Sequence, residues 1–285
     1  MAGVAVVTDS TSSLAPGSTT RTGVRVIPLQ VVIDGVSRPE ADVSPAEVAA
    51  ALRARRVVST SRPAAETFRT VYAELAAEGF RGVVSAHLSG RISGTAAAAE
   101  LAAGEVALPV RVVDTRVIAM AAGFAVLAGA GAARQGGDLA DVADAIGRRA
   151  AATSTWFSVA DLEHLRRGGR IGAATAALGS ALAVKPILTV RDGRIRSLER
   201  VRTTSRALDR LLELAAGAVS AARVRGEAVE VAVHHLDDEP AARRLAERLE
   251  ARASLPEPAV VAEVSAVLGV HVGPGTAGVV VSPVV

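Results

Sequence analysis

The chain has 285 residues, half of them hydrophobic and only 2% aromatic, with 32 basic against 29 acidic side chains and no cysteine. That length buries a large core in one large or two medium domains, and 21% charged residues is a globular rather than a disordered profile. Disulfides, thiolate catalysis and cysteine-held metals are excluded. The isoelectric point near 10.3 reflects arginine rather than a basic tract, because Lys185 is the single lysine and the arginines are scattered. With formal net charge +3 and almost no stacking aromatics, nucleic-acid binding is not expected. The first residues, Met-Ala-Gly-Val-Ala-Val-Val, run into a strand pattern without the basic and long apolar segments of a signal peptide. The alanine- and glycine-rich run from Ile118 to Ala133 falls short of a membrane span. A cytoplasmic protein is expected.

In chain order, Val4 to Val7 predicts a short strand ending in the hydroxyl-rich Thr8-Asp9-Ser10-Thr11-Ser12-Ser13, one corner of a site or a plain turn. Val24 to Ile33 predicts a second strand region turned at Asp34-Gly35. Ser44-Pro45-Ala46-Glu47 is a helix start, with serine at N-cap, proline at N1 and glutamate at N3. Ser59-Thr60-Ser61-Arg62-Pro63 gathers hydroxyls in a predicted loop before a helix over Ala64 to Glu78. A strand over Arg81 to Ser85 then leads into His87-Leu-Ser-Gly-Arg-Ile-Ser-Gly-Thr95, ahead of an alanine-rich helix. A glycine-lined strand-to-helix turn with free N–H groups and hydroxyls suits a carboxylate or phosphate, though Ser93 or Thr95 could equally cap the helix. Val110 to Val113 is a further strand, ended by Asp114-Thr115, and helices follow over 117–133 and from Asp138 to about Ala152. Alternating strands and helices favour a parallel α/β sheet with its loops converging at the strands' carboxyl ends.

Beyond residue 153 the pattern changes. It gives a strand over Thr155 to Val159, a short helix over Asp161 to Arg167, and a turn at Gly168-Gly169-Arg170-Ile171. A small-residue helix follows over Ala173 to Val184, then a hairpin at Arg191-Asp192-Gly193. Helices over Thr204 to Ser220 and Pro240 to Ala253 alternate with strands at Glu230 to His234, Ala259 to Val264 and Gly278 to Val281. Hairpins with helices predict an α+β domain over 154–285 beside an α/β domain over 1–153.

The five histidines lack metal-ligand spacing, and no metal or cofactor is expected. Gly273-Pro-Gly-Thr-Ala-Gly278 spells a dinucleotide fingerprint but leads into a strand, so that reading fails on context, and no ATP phosphate loop occurs. Ser93 sits where a hydrolase nucleophile would, one residue off the nucleophile elbow, with His271 as the only base to offer and no evident aspartate. His271 lies in Gly269-Val-His-Val-Gly-Pro-Gly275, read as a tight loop around a titratable ring or as a surface turn. Gly168-Gly169-Arg170 reads as a helix C-cap or as an arginine on a rigid turn facing an anion or a partner.

Eight motifs, in order, resemble the DegV family, the fatty-acid-binding proteins of bacterial fatty acid kinase systems. They are Thr8-Asp9-Ser10-Thr11, Thr60-Ser61-x-Pro63, Ile92-Ser93-Gly94-Thr95, Asp114-Thr115, Leu165 to Ile171, Leu182 to Leu188, Val201-Arg202-Thr203 and Gly269 to Gly275. The resemblance implies a two-domain α/β fold with a long-chain fatty acid in an apolar tunnel between the domains. Its carboxyl group would be presented to a separate ATP-dependent kinase. It implies Thr60, Ser61, Ser93, Gly94, Thr95 and His271 at the carboxyl group, with Arg170 and Arg202 near the mouth for the kinase or the acyl phosphate. The chain departs from the family pattern at Arg62, where glutamine is common, and at Ala97 to Ala99, where bulkier or polar residues are common. A hydrolase using Ser93 and His271, and a regulatory module for another small anion, are the competing readings.

Overall fold

Elements of the N-terminal half follow from local signals. The computed structural model describes residues 2–14, 17–171 and 184–285. Its first part runs β1 (Ala2–Asp9), α1 (Ser18–Thr22), β2 (Arg25–Ile27), β3 (Gln30–Ile33), β4 (Val36–Pro39), α2 (Pro45–Arg53), β5 (Val58–Ser61), α3 (Ala65–Ala77), β6 (Phe80–His87), α4 (Thr95–Ala103) and β7 (Val110–Asp114). α2 starts as its sequence predicts: the Ser44 hydroxyl accepts from Glu47 N at 3.1 Å, with Pro45 in the first turn. β2, β1, β6 and β7 form a parallel sheet in that order. β1 and β6 are its central strands and read as near-continuous apolar runs because both faces are covered.

Two readings are corrected here. The strand region Val24 to Ile33 divides into β2 and β3, which lie in different sheets. The Ser59 to Ser61 stretch is a strand rather than a loop: β5 pairs with β3, which also pairs with β4, in a small antiparallel sheet. Strand pairing satisfies the backbone that a loop reading left to solvent.

The rest runs α5 (Met120–Arg134), α6 (Leu139–Ala152), β8 (Ser154–Ser158), α7 (Glu163–Arg167), β9 (Lys185–Arg191), β10 (Arg194–Val201), α8 (Thr204–Val224), β11 (Val229–His235), α9 (Glu239–Ala253), β12 (Val260–Glu263), α10 (Ala266–Val272) and β13 (Ala277–Pro283). Strands β8 to β13 make one six-stranded sheet, ordered β10-β9-β8-β13-β11-β12, antiparallel except where β11 meets β12. Asp192 and Gly193 both have positive φ, which gives the predicted tight hairpin between β9 and β10. α6 opens on a capping box between Asp138 and Asp141. The predicted small-residue helix over Ala173 to Val184 lies almost wholly outside the described residues.

α5 explains the longest apolar run. It packs on β1 of the parallel sheet and on β13 of the six-stranded sheet, with α6 alongside, so its apolar surface is buried on several sides. One core cluster joins Val6 and Val84 of the first sheet, Phe124 and Val126 of α5, Ile146 of α6, and Ala232 and Val280 of the second sheet. Gly129 lets α5 and α6 close up: a Cβ there would stand 2.4 Å from Ile146 Cγ1. None of the described helices is long and apolar enough to cross a membrane.

Candidate functional site

The turn after β6 is held by three anchors. His87 ends β6 rather than lying in the turn, and its Nδ1 donates to Asp9 Oδ2 at 3.0 Å. The same Asp9 oxygen accepts from Leu88 N at 3.0 Å, and Oδ1 accepts from Thr11 N at 3.0 Å. On the other ring nitrogen, His87 Nε2 lies 2.7 Å from Ser85 Oγ, and the Tyr72 hydroxyl donates to Ser85 at 2.8 Å. These side chains are buried, and Phe68 packs edge-on against the imidazole at 5.2 Å. Burial pushes the Tyr72 hydroxyl up to about 12, against a smaller downward pull from Ser85, so it stays a donor. The second anchor is Ser89, whose buried hydroxyl donates to Gly193 O of the β9–β10 turn at 2.7 Å. The third is Asp114, which accepts from Gly90 N at 3.0 Å.

From this fixed turn the chain enters α4. Gly94 is its N-cap and carries no side-chain cap, so neither Ser93 nor Thr95 does the capping that their types suggest. Their hydroxyls instead bond each other at 2.8 Å. Gly94 has an ordinary φ of −80°, so no backbone constraint demands glycine there. The absent Cβ leaves room for the exposed Arg62 side chain, since a Cβ would lie 3.1 Å from Arg62 Nη1 and 3.3 Å from Arg62 Cδ.

Thr60 and His271, 211 residues apart, meet at 2.9 Å between Oγ1 and Nε2. Thr60 is part-buried on β5, while Ser61 is exposed and faces the other way by strand alternation, so it is not brought to this contact. His271 is in the last turn of α10, not in a loop, and Gly273 closes that helix with φ 75°. Behind the ring lies Gly168, where a Cβ would stand only 2.4 Å from His271 Nδ1. Nδ1 is buried without a partner among the described residues. Burial, then the charges of Arg170 and His164, lower the His271 pKa to about 4, so the ring is neutral near pH 7.

Arg170 ties these pieces together. Its guanidinium donates to Gly168 O, beside His271, and its Nε donates to Ile92 O at 3.2 Å, beside Ser93. These contacts form a polar circuit that links the end of β5, His271 of α10, the Gly168 turn, Arg170 and the turn before α4, where Arg62 lies against Gly94. Arg202 is elsewhere: it is exposed between β10 and α8, in a surface depression with Arg206, Asp209 and Arg210. Lys185 donates to Ala160 O at 2.8 Å. No hydrogen bond joins Ser93 to His271 among the described residues, so the nucleophile–base pair of the hydrolase reading is not formed. No group of three or more His, Asp or Glu among them is placed to hold a metal ion. Beside the polar circuit lies an apolar cluster that includes Leu88, Ile118, Phe157, Leu165, Leu236 and Leu268.

The model of the family described as "Uncharacterised protein, DegV family" matches residues 3–284. The chain belongs to the DegV family. A DegV domain-containing protein of Streptomyces coelicolor is 49% identical over 280 residues, covering 98% of both chains. Among solved structures, a DegV-family protein from Thermus thermophilus, described by its fatty acid binding, superposes with TM-score 0.90 at 36% identity, covering 98% of this chain and 99% of that one. DegV of Bacillus subtilis, described as a fatty acid binding protein, gives TM-score 0.89 at 30% identity over 99% and 100% of the two chains. The α/β architecture, with a parallel-sheet N-terminal region and a second sheet, is the one these DegV structures share.

Reasoning from sequence missed what stands behind the site. Gly168 looked like a helix stop, and nothing local ties it to a ring 103 positions away. The Asp9–His87 bond was equally out of reach, although Asp9 stood out as a polar residue closing a buried strand.

Proposed function

We propose that this chain binds a long-chain fatty acid and presents its carboxyl group to a separate ATP-dependent kinase for acyl-phosphate formation. The observation that carries the reading is the meeting of Thr60 with His271 beside the Ser93-Gly94-Thr95 turn. Two hydroxyls, a neutral imidazole and the free N–H groups at the start of α4 offer a carboxyl group donors without a fixed countercharge in van der Waals contact with the acyl chain. With His271 Nδ1 unpartnered, either tautomer of the neutral ring is open, so Nε2 can donate to or accept from Thr60 Oγ1, and the Thr60 hydroxyl can offer the complementary role to a ligand. The apolar cluster beside the circuit suits the chain, where each buried methylene contributes about 0.8 kcal/mol before ordering costs. The fatty acid binding described for the Thermus and Bacillus relatives supports the same ligand class. Arg170, inside the circuit, is the basic group assigned to the acyl phosphate, and exposed Arg202 is assigned to the kinase surface.

The test is mass spectrometry of the organic extract of purified protein, followed by incubation of the loaded protein with a fatty acid kinase and ATP. A co-purified fatty acid and acyl-phosphate formation are expected. An empty protein that turns over a p-nitrophenyl ester would refute the proposal in favour of hydrolysis.

A further inference from the structure

We infer that Arg62 is a charge-selecting residue for the ligand's head group in this chain, so that the site prefers an ionised carboxylate over a neutral polar head on the same alkyl chain. The inference rests on the fatty-acid reading above and adds to it a residue outside the hydroxyl–imidazole set. Three observations carry it. First, the Arg62 side chain lies against Gly94 at the start of α4, so close that a Cβ on residue 94 would stand 3.1 Å from Nη1, 3.3 Å from Cδ and 3.6 Å from Cζ. Gly94 has an ordinary φ, so the backbone does not demand glycine, and the absent Cβ leaves room for the Arg62 side chain to lie against the turn. Second, Arg62 makes no ion pair among the described residues, whereas many of the exposed arginines, such as Arg56, Arg243 and Arg248, hold a carboxylate. Third, Arg62 follows Thr60 by two positions, at the end of β5, and buried Pro63 fixes the chain beyond it. One strand end thus brings a neutral donor, Thr60, and a cation, Arg62, to the same turn.

A guanidinium there does what the neutral groups cannot. Hydroxyls and a neutral imidazole bond a carboxylate, an alcohol or an amide, and therefore discriminate weakly by charge. A guanidinium donates to a carboxylate through a charge-assisted bond about twice as strong as a neutral one, and to an alcohol only weakly. The α4 N-terminus beside it adds to the same sign of potential. Arg170 uses two of its five donors on Gly168 O and Ile92 O, so its charge supports the same selection while those hydrogen bonds hold the turn.

The experiment measures dodecanoate and 1-dodecanol binding to the full chain, stripped of co-purified lipid, as wild type, Arg62→Gln and Arg62→Lys. The wild type should bind dodecanoate more tightly than dodecanol. Arg62→Gln should weaken dodecanoate about tenfold, about 1.4 kcal/mol, and leave dodecanol within twofold. Arg62→Lys, which keeps the charge, should recover much of the loss. Equal dodecanoate affinity in wild type and Arg62→Gln overturns the inference. So does an equal loss for both ligands, which would make Arg62 a packing residue. If the wild type binds neither dodecanoate nor octadecanoate, the fatty-acid reading itself fails, and that result is visible before any variant is compared.

Discussion

Gly168→Ala tests the geometry of the site with one methyl group. Gly168 has φ −71°, which alanine adopts freely, so the backbone should not resist the change. The added Cβ would stand 2.4 Å from His271 Nδ1, 3.1 Å from its Cε1 and 3.2 Å from His164 O. Ordinary contact requires more than 3.4 Å, so the ring must retreat by about 1 Å or tilt, since α7 and α10 are packed together. A ring displaced or tilted by about 1 Å cannot keep both the length and the angle of the 2.9 Å Thr60–His271 bond. The loss is one part-buried hydrogen bond in the free protein, about 1 kcal/mol, and a misplaced donor toward the ligand, about 1–2 kcal/mol more. We expect fatty-acid affinity to fall roughly five- to thirtyfold, while unfolding in urea shifts by only about 1 kcal/mol. The paired measurement is a fatty-acid titration and an imidazole NMR spectrum. Unchanged affinity with an unmoved His271 resonance would refute the argument. By contrast Gly169, with φ 69°, needs glycine for its backbone, and Gly169→Ala should lose stability without that selective effect on binding.

Other perturbations reach other parts of the molecule. Ser93→Ala should weaken fatty-acid binding by about 1–2 kcal/mol and leave the fold intact, because α4 takes no side-chain cap from Ser93; calorimetric titration beside a melting curve checks both halves. Asp9→Ala should cost about 3 kcal/mol or more in chemical unfolding, because it strands the buried donors Thr11 N, Leu88 N and His87 Nδ1 together; a loss under 1 kcal/mol would contradict that network. For pH, the folded His271 pKa near 4 lies below its unfolded value near 6.5, so only the unfolded chain takes up this proton in that window. Its contribution is neutral above pH 6.5 and destabilises by about 1.4 kcal/mol per unit as pH falls toward 4. Urea unfolding of wild type and His271→Asn at pH 7, 6 and 5 should show the variant losing less on acidification, and parallel profiles would argue against a buried neutral ring.

How much of this could be read in advance depends on the range of the interaction. Ser44 with Glu47, the helix start at Asp138, and the Asp192-Gly193 hairpin are settled within four residues, and they stand where the sequence puts them. Thr60 looked like a loop residue because β5 is four residues long and its hydroxyls mimic turn chemistry, while its partner β3 is supplied from elsewhere in the chain. His271 looked like a loop residue because glycines crowd its motif, yet Gly269 lies within α10 and only Gly273 ends it. The Thr60–His271 contact spans 211 positions, so residue types marked both as interesting while nothing local paired them. The buried Asp9 carboxylate shows the same limit, since its histidine lies 78 positions on.

The placement of α5 bears on how such chains can diversify. Its small side chains are fitted at once to a parallel sheet, to an antiparallel one and to α6, and Gly129 is cut to the shape of Ile146. A crossover joining the first 150 or so residues of one relative to the remainder of another would set an inherited helix against a foreign Val280 and Ala232. Shuffling at that joint should yield poorly packed hybrids unless α5 and β13 travel together. Exchange confined to the outer hairpin of β9 and β10, with Arg191 to Gly193 kept on Ser89, leaves that shared seam untouched.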